Sequence, residues 1–420
     1  MKRTLFFLAA LISAGAQAQF LSLHNGDRVV FYGDSITDGS AYTKFVEAFV
    51  RLRHPNLDVK FFNAGVGGDR VTGGWMGSVD DRLSRDLFSR KPTVITVMLG
   101  MNDGSYQAAK PEITDVYERG YRHIVDRFKK EAASAKVFLI KPSPFDDVTR
   151  APGWPGGYNG VMTAYSQFVE SLAKANGYSS VDFNSPVVGM LERAKVANAD
   201  LSTKIIGDRV HPGAAGHLVM AEQLLLSWGA TPTLSNVTIE LPLGKINAFA
   251  AKVASLEVGT TVKWEQTDSG LPFPLDRKDA VTSLVLSSSD FDQKLNQQIL
   301  AVKNLPAGRH MLKIDGLDIV SLSAEEWGKG VNLAQVETPM LAQARTVWAA
   351  VTQRADMMYQ AWRQIEFTQS WAKSPKQEAA LKALNDLSDD LGVRAREMAK
   401  PIKRKYELLP VPVASATKSR

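Results

Sequence analysis

A serine, a histidine and an aspartate in this sequence have residue types and spacings that suit nucleophilic catalysis. Ser35 stands in the run GDSIT at 33–37, after a short apolar segment and before a stretch with helical periodicity. A hydroxyl there lies near a helix N-terminus, where unpaired backbone N–H groups can stabilise a developing oxyanion. Asp208 precedes His211 by three residues across a predicted tight turn. Its carboxylate can therefore bond one imidazole nitrogen and leave the other for a serine hydroxyl.

Two further motifs follow predicted strands and contain hydrogen-bond donors. The run NAGVGGD at 63–69 contains three glycines, which permit close approach of the backbone and positive φ. It is not a dinucleotide-binding fingerprint, because Arg70 occupies the position of the third required glycine. Asn102, in the run GMND, can donate from its amide into the same crevice. Taken singly, Ser35 could be only a helix N-cap and Asn102 only a turn residue.

The elements that must position these motifs alternate between strand and helix over residues 27–228. Apolar runs predict five strands, and helical periodicity separates them; the runs are 28–32, 59–62, 94–99, 137–140 and 180–183. Strands that are apolar throughout and separated by helices are typical of a parallel sheet covered on both faces. Ligands bind at the carboxyl ends of the strands in such sheets. The sequence therefore predicts an α/β domain in which the motifs converge on one edge.

The four motifs GDSIT, NAGVGG, GMND and DRVHP occur in this order, and together they resemble the four sequence blocks of the SGNH/GDSL hydrolase superfamily. The resemblance implies a flavodoxin-like three-layer α/β/α sandwich with a parallel sheet. It implies a serine esterase, with Ser35 as nucleophile, His211 as base and Asp208 as acid, and no metal or cofactor. It also implies an oxyanion hole made by the N–H groups of Ser35 and Gly68 and by the Asn102 amide.

Three aromatic side chains near the motifs are candidate substrate contacts. Trp154 and Tyr158 lie in the Pro- and Gly-rich segment 142–160, and Trp75 follows the second motif. Their faces could stack on a sugar ring or line an acyl groove, and the alternative is that they pack onto the core. We expect short acyl or acetyl esters, including esters on carbohydrate, because no extended apolar stretch beside the motifs indicates a lipid interface. The alternatives are a lysophospholipase-type acylhydrolase and a non-catalytic envelope or polysaccharide-binding protein on the same scaffold.

The second half of the chain changes pattern twice. Alternating and β-branched runs within 232–325, with a hairpin signal at Asp315-Gly316, predict a β-rich, sandwich-like module. Apolar residues then repeat every three or four positions, which predicts a helix over 339–371 and an antiparallel second helix over 376–391. The predicted parts are a signal peptide (1–18), a hydrolase domain (19–231), the β-rich module (232–325) and a helical C-terminal region with a basic tail (326–420).

The N-terminal segment predicts export. Lys2 and Arg3 precede an apolar stretch at 5–12, and the residues 16–18 form an A-x-A cleavage site, so 1–18 is predicted to be a secretory signal peptide. The apolar stretch is too short to span a membrane, and no later segment approaches about 20 apolar residues. We therefore expect a secreted or periplasmic bacterial protein without a transmembrane segment.

The composition excludes several classes of protein. The chain has no cysteine, which excludes disulfides, cysteine catalysis and Cys-ligated metal centres. The formal charge of +6 is mild, and basic and aromatic residues do not interleave near the motifs, so no nucleic-acid partner is predicted. Residues 392–420 contain eight basic and two acidic residues, and their net charge of +6 equals the formal charge of the whole chain. We interpret this tail as a solvated helix end or a frayed terminus.

Overall fold

A five-stranded parallel sheet organises the first half of the computed structural model, which describes residues 22–367 and 374–412. The predicted signal peptide lies outside these residues. The strands of this region are β1 (Arg28–Gly33), β2 (Lys60–Gly65), β3 (Gly73–Gly74), β4 (Gly77–Ser78), β5 (Val94–Met98), β6 (Lys136–Lys141) and β7 (Ser179–Asp182). β3 and β4 form a small hairpin, and the other five pair in parallel in the order β2-β1-β5-β6-β7. This is the flavodoxin-like arrangement that the family resemblance implies.

Helices cover both faces of this sheet. They are α1 (Ser35–Asp38), α2 (Ala41–Arg53), α3 (Val79–Arg82), α4 (Pro111–Glu131), α5 (Gly157–Ala175), α6 (Asn184–Ala197), α7 (Ala199–Ser202) and α8 (Ala214–Ser227). A π-helical turn, Leu83–Leu87, and a 3-10 turn, Phe88–Arg90, follow α3. Crossover connections between parallel strands are right-handed. Because the chain moves along the sheet in one direction from β1 to β2 and in the opposite direction from β5 to β7, α2 lies on one face and α4 and α5 lie on the other. The rings of Tyr117 and Tyr165 stack 3.8 Å apart and join α4 to α5.

The reversal at β1 also opens the crevice in which the motifs meet. The chain passes from β1 to β2 on one side and then to β5 on the other side, so the loops after these strands diverge around a cleft. Gly65, at the end of β2, lets α1 approach closely, because a Cβ there would lie 2.2 Å from the backbone nitrogen of Asp38. The glycine is thus required by packing at the edge of the site.

The β-rich region contains two sheets and three short helices. Its strands are β8 (Thr233–Glu240), β9 (Lys245–Phe249), β10 (Ala251–Glu257), β11 (Val262–Asp268), β12 (Gln297–Lys303), β13 (Arg309–Ile314), β14 (Leu317–Ser323) and β15 (Val331–Asn332). Its helices are α9 (Ala280–Ser287), α10 (Phe291–Leu295) and α11 (Ala324–Lys329), and a 3-10 turn spans Leu333–Gln335. One sheet has the order β15-β12-β8-β9. The predicted turn at Asp315-Gly316 joins β13 to β14, with positive φ of 52° and 83° at its two residues.

The helical region lies between β15 and the last strand. It consists of α12 (Pro339–Gln360), which continues as a π-helical segment over Ala361–Phe367, and α13 (Pro375–Ala399). The last four residues of the predicted 339–371 helix lie outside the described residues. Gln343, near the start of α12, donates to the carbonyl oxygens of Met398 (2.8 Å) and Lys400 (2.9 Å), so the two helices run antiparallel as predicted. The Trp348 ring stacks 5.1 Å from Phe45 of α2, which packs the hairpin on the hydrolase domain.

The interpretation of the C-terminal residues as a solvated or frayed tail is wrong for β16 (Arg404–Pro410). This strand occupies the centre of the second sheet, whose order is β10-β11-β16-β13-β14. Tyr406 and Leu408 point into the core and are each 1% exposed, and Arg404 pairs with Asp315 at 2.9 Å. The helical region is therefore an insertion within the β-rich region. No helix of residues 22–367 and 374–412 is long and apolar enough to cross a membrane.

The central position of β16 predicts a large cost for shortening one of its buried side chains. Leu408→Ala should lower the free energy of unfolding by about 2–5 kcal/mol, because it leaves a cavity in the core against which the sheet packs. Urea unfolding followed by tryptophan fluorescence measures this change. The matched control is Leu317→Ala on β14, where the side chain is 60% exposed. Equal, small effects of the two substitutions would contradict the buried position of β16.

Candidate active site

Three side chains form a hydrogen-bonded series at the carboxyl edge of the parallel sheet. Ser35 begins α1 directly after β1, and its Oγ lies 2.8 Å from Nε2 of His211. Nδ1 of His211 lies 2.6 Å from Oδ2 of Asp208. Oδ1 of Asp208 accepts hydrogen bonds from the backbone N–H groups of Val210 (2.9 Å) and His211 (2.7 Å), which closes the turn between the two side chains. The structure thus brings together the serine, histidine and aspartate that the sequence singled out.

The hydroxyl of Ser35 is not used as a helix cap. Asp34 is the N-cap of α1, because its Oδ1 accepts a hydrogen bond from the Ile36 N–H at 3.0 Å. Burial raises the pKa of the Asp34 carboxyl to about 7, against the hydrogen bond from Ile36. Ser35 is therefore free to direct its hydroxyl toward His211.

The electrostatics of Asp208 favour its charged form. Burial raises the pKa of this carboxyl, but the hydrogen bonds from the backbone and imidazole of His211 and from the Val210 N–H outweigh that effect and lower the pKa to about 2. The side chains of His211 and Asp208 are 48% and 57% exposed. The series therefore lies in an open site, and the carboxylate beside the imidazole is ionised at neutral pH.

Arg209 holds the turn that contains Asp208 and His211. Its backbone has a positive φ of 73°, which is uncommon for a residue with a side chain. Its Nε donates to the carbonyl oxygen of Asp146 at 2.9 Å, and its guanidinium lies 4.7 Å from the Phe145 ring centroid. These contacts fix the turn to the long loop after β6. The sequence analysis missed Arg209, since nothing local indicates a partner about 60 residues away in the chain.

Two backbone N–H groups and one side-chain amide of the motifs are candidate donors to an oxyanion. Among the described residues, the N–H groups of Ser35 and Gly68 have no hydrogen-bond acceptor. Gly68 has a positive φ of 79° and is exposed. The amide of Asn102 donates to the carbonyl oxygen of Asp69 at 3.0 Å, and its oxygen accepts from the Tyr106 hydroxyl at 3.0 Å. These two bonds orient the amide and leave its second hydrogen available for a ligand.

A buried ion network supports the glycine loop from beneath. Arg82 donates from Nε to Asp69 at 2.9 Å and from Nη2 to the carbonyl oxygen of Ala64 at 2.7 Å, and it also pairs with Asp86. Burial raises the pKa of the Asp69 carboxyl, and Arg82 opposes that shift. Asp86 in turn accepts from the indole N–H of Trp362 at 2.9 Å, so the helical region joins this network. Removing one partner would leave a buried charge without compensation.

The three aromatic residues predicted as substrate contacts differ in exposure. Trp75 is 64% exposed and lies beside the glycine loop, where its indole N–H donates to the Gly67 carbonyl at 2.9 Å. Trp154 is half-buried against the core. Tyr158 is 1% exposed and donates to the carbonyl oxygen of Met101 at 2.6 Å, so it packs within the core, contrary to the predicted substrate contact. Its neighbour Tyr106, which the sequence analysis missed, is 44% exposed at the cleft.

Metal-ligating side chains are not grouped in the part of the chain that the structure describes: it contains no set of three or more His, Asp or Glu residues placed to hold an ion. His217, close to the site on α8, accepts from the Tyr42 N–H at 3.3 Å, and burial lowers its pKa to about 4. His217 therefore has a packing role between helices.

The fold and this geometry define a class of protein: an α/β/α hydrolase with a serine, histidine and aspartate at the edge of a parallel sheet. Residues 31–219 match the family model of the GDSL-like Lipase/Acylhydrolase family. The part of the chain that matches, residues 31–219, belongs to the SGNH/GDSL hydrolase superfamily, and the chain is an ester-hydrolysing enzyme. The alternative of a non-catalytic protein on this scaffold is thereby set aside.

Two known proteins show how far the similarity extends. The chain is 24% identical over 233 residues to an acetylxylan esterase of Geobacillus stearothermophilus, and the match covers 50% of this chain and 97% of that protein. It is 26% identical to BT4096, a gut microbial diltiazem-metabolizing enzyme of solved structure, with a TM-score of 0.81 over 93% of this chain and 98% of that chain. The second match therefore includes the β-rich and helical regions as well as the hydrolase domain.

The low pKa of Asp208 predicts that this carboxyl does not contribute to the acid limb of the pH profile of the enzyme. Its pKa of about 2 in the folded chain lies below the ordinary value of 3.8, so the carboxylate stays ionised until the pH falls through about 2. Protonation of Asp208 should therefore contribute nothing to the profile of kcat/KM above about pH 4. Ester hydrolysis measured across pH tests this. An acid-side ionisation above about pH 4 that disappears in Asp208→Asn would instead show that this carboxylate titrates in the working range.

Proposed function

We propose that this protein is an exported serine esterase that removes short acyl groups, foremost acetyl, from hydroxyls of carbohydrate or similar alcohols. The observation that carries the proposal is the hydrogen-bonded series Ser35–His211–Asp208, with distances of 2.8 Å and 2.6 Å. Acyl transfer also requires a site that binds the oxyanion, and the free N–H groups beside the nucleophile supply it.

In the proposed reaction, Ser35 Oγ attacks the ester carbonyl while Nε2 of His211 takes the hydroxyl proton. Asp208, ionised throughout, holds the imidazole in the tautomer with the proton on Nδ1 and stabilises the imidazolium. His211 then gives its proton to the leaving alcohol, and an acyl-enzyme forms on Ser35. Water enters, loses a proton to His211 and releases the carboxylic acid by the reverse route.

The oxyanion of each tetrahedral intermediate is proposed to bind three donors. These are the N–H groups of Ser35 and Gly68 and the free amide hydrogen of Asn102. The hydrogen bonds of Asn102 to Asp69 and Tyr106 support this role, because they orient the amide before substrate arrives. Because the amide is already oriented, it does not have to reorganise when the oxyanion forms.

Three observations support an acetyl ester on a ring-shaped alcohol. The chain resembles an acetylxylan esterase over its hydrolase domain and a diltiazem-metabolizing enzyme over 93% of its length. The site is open, with the imidazole half-exposed, which leaves room for a bulky alcohol. Trp75 and Tyr106 expose rings beside the oxyanion donors, and such faces can stack on a sugar ring.

Export is part of the proposal and is based on the predicted signal peptide at 1–18. A secreted or periplasmic location would place the enzyme where acetylated polysaccharides occur and where acyl-CoA thioesters do not.

Ser35→Ala should abolish ester hydrolysis, because no other hydroxyl stands at hydrogen-bond distance from His211 Nε2 in the described residues. Release of 4-nitrophenol from 4-nitrophenyl acetate measures turnover, and a fluorophosphonate probe measures labelling of the nucleophile. Ser171→Ala, which removes an exposed helical serine, is the matched control. Wild-type turnover or undiminished labelling in Ser35→Ala would refute the proposed mechanism.

The open site also predicts which esters are preferred. Burial of each acyl methylene in an apolar groove is worth about 0.8 kcal/mol, so a lipid hydrolase should gain rate steeply with chain length. For this enzyme we expect kcat/KM not to rise from 4-nitrophenyl acetate to the decanoate. Acetylated xylo-oligosaccharide should release acetate, and a lysophospholipid should not be cleaved. A gain of about tenfold or more with chain length, together with lysophospholipid cleavage, would favour the lipid acylhydrolase alternative.

A further inference from the structure

Both peptide groups of Gly67 are held by side chains. Its N–H donates to Oδ2 of Asp38 at 2.9 Å, and its carbonyl oxygen accepts from the indole N–H of Trp75 at 2.9 Å. That carbonyl and the N–H of Gly68 belong to the same planar peptide unit, in which the two groups point in opposite directions. Trp75 therefore sets the direction of the Gly68 N–H, which is the proposed oxyanion donor.

One arginine of the helical region contacts both of these holding side chains. Nη2 of Arg363 donates to the Asp38 carboxylate at 2.8 Å and 3.0 Å, and its Cζ lies 5.2 Å from the Trp75 ring centroid. Phe367 packs against the same indole with the ring centroids 5.8 Å apart and the planes at 87°. The π-helical segment Ala361–Phe367 thus covers the outer side of the glycine loop.

The contact between Arg363 and Asp38 is stronger than an ordinary surface ion pair. The two side chains are only 12% and 17% exposed, so water screens them little. Nε of Arg363 also donates to the Tyr359 hydroxyl at 3.2 Å, which fixes the guanidinium in place. The planar guanidinium can bond the carboxylate and lie over the indole at the same time, whereas a lysine ammonium cannot do both.

We propose that Arg363 is a positioning residue for ester hydrolysis, which acts through Asp38 and Trp75 to aim the Gly68 N–H at the oxyanion. The inference rests on the proposed function and extends it. The helical region then completes the active site, although Arg363 is 325 residues from Asp38 in the chain and lies outside the part that matches the family. Trp75 gains a second role: its N–H edge orients a peptide, and its exposed ring remains available to substrate.

Two substitutions separate positioning from substrate binding. Trp75→Phe removes the indole N–H but retains an aromatic face, so kcat should fall between about 10-fold and 100-fold while KM stays within about twofold. Arg363→Ala should lower kcat in the same range, and Arg363→Lys should recover only part of the loss. The inhibition constant of a boronic acid, which forms a tetrahedral anion on Ser35, should rise by the factor by which kcat/KM falls.

Arg345→Ala is the matched control, because this arginine also pairs with a carboxylate, Glu337, but on the exposed start of α12. It should leave kcat, KM and boronate inhibition unchanged. Thermal unfolding of each variant shows whether a loss of rate accompanies a loss of structure. A wild-type kcat in Trp75→Phe, or a higher KM with unchanged kcat in Arg363→Ala, would overturn the inference. If the proposed function itself were wrong, the unmutated enzyme would not hydrolyse esters through Ser35. That result is distinct from the outcomes that would overturn the role of Arg363.

Discussion

All five strands of the main sheet end at the same edge, and this constraint determines where the chemistry of the protein can occur. The end of β1 places Ser35, the end of β2 begins the glycine loop, and the end of β5 leads to Asn102. Because the strand order reverses at β1, these three loops surround one cleft. The turn with His211 reaches the same cleft from the far end of the domain. Ser35, Gly68, Asn102 and His211, the proposed nucleophile, oxyanion donors and base, therefore meet although they are far apart in sequence.

The meeting of these loops at one edge does not by itself orient the peptide groups of the glycine loop. Side chains from distant parts of the chain hold those peptide groups in place. The glycine loop has few side chains of its own to hold it, so Arg82 supports it from beneath and Asp38 and Trp75 fix Gly67. The helical region adds Trp362 and Arg363 to these contacts. β16 closes the β-rich sheet after the helical insertion, so both ends of that insertion are anchored. The regions beyond the hydrolase domain thus contribute to the geometry of the site.

The sequence predicts the parts of this enzyme that depend on local pattern. Alternating apolar runs and helices predict the parallel sheet, and the resemblance to the SGNH/GDSL superfamily implies its flavodoxin-like architecture; the fold class and the hydrolase family are confirmed. Ser35, Asp208 and His211 were found because each stands in a short motif. Contacts between distant segments left no such signal. The pairing of Arg363 with Asp38, the burial of Tyr158 and the central position of β16 depend on tertiary packing. Arg404, Tyr406 and Leu408 are spaced two residues apart, as side chains on one face of a strand are. The high charge of the segment nevertheless led to its interpretation as a solvated tail.

The central claim is that Ser35 becomes acylated during turnover. Rapid acid quenching of the enzyme during hydrolysis of an acetate ester, followed by peptide mass spectrometry, tests it most directly. The account predicts a mass increase of one acetyl group on the peptide containing Ser35, and none on that peptide in Ser35→Ala. An acetyl group on another residue, or turnover without any acetylated intermediate in either the early or the steady-state phase, would contradict it.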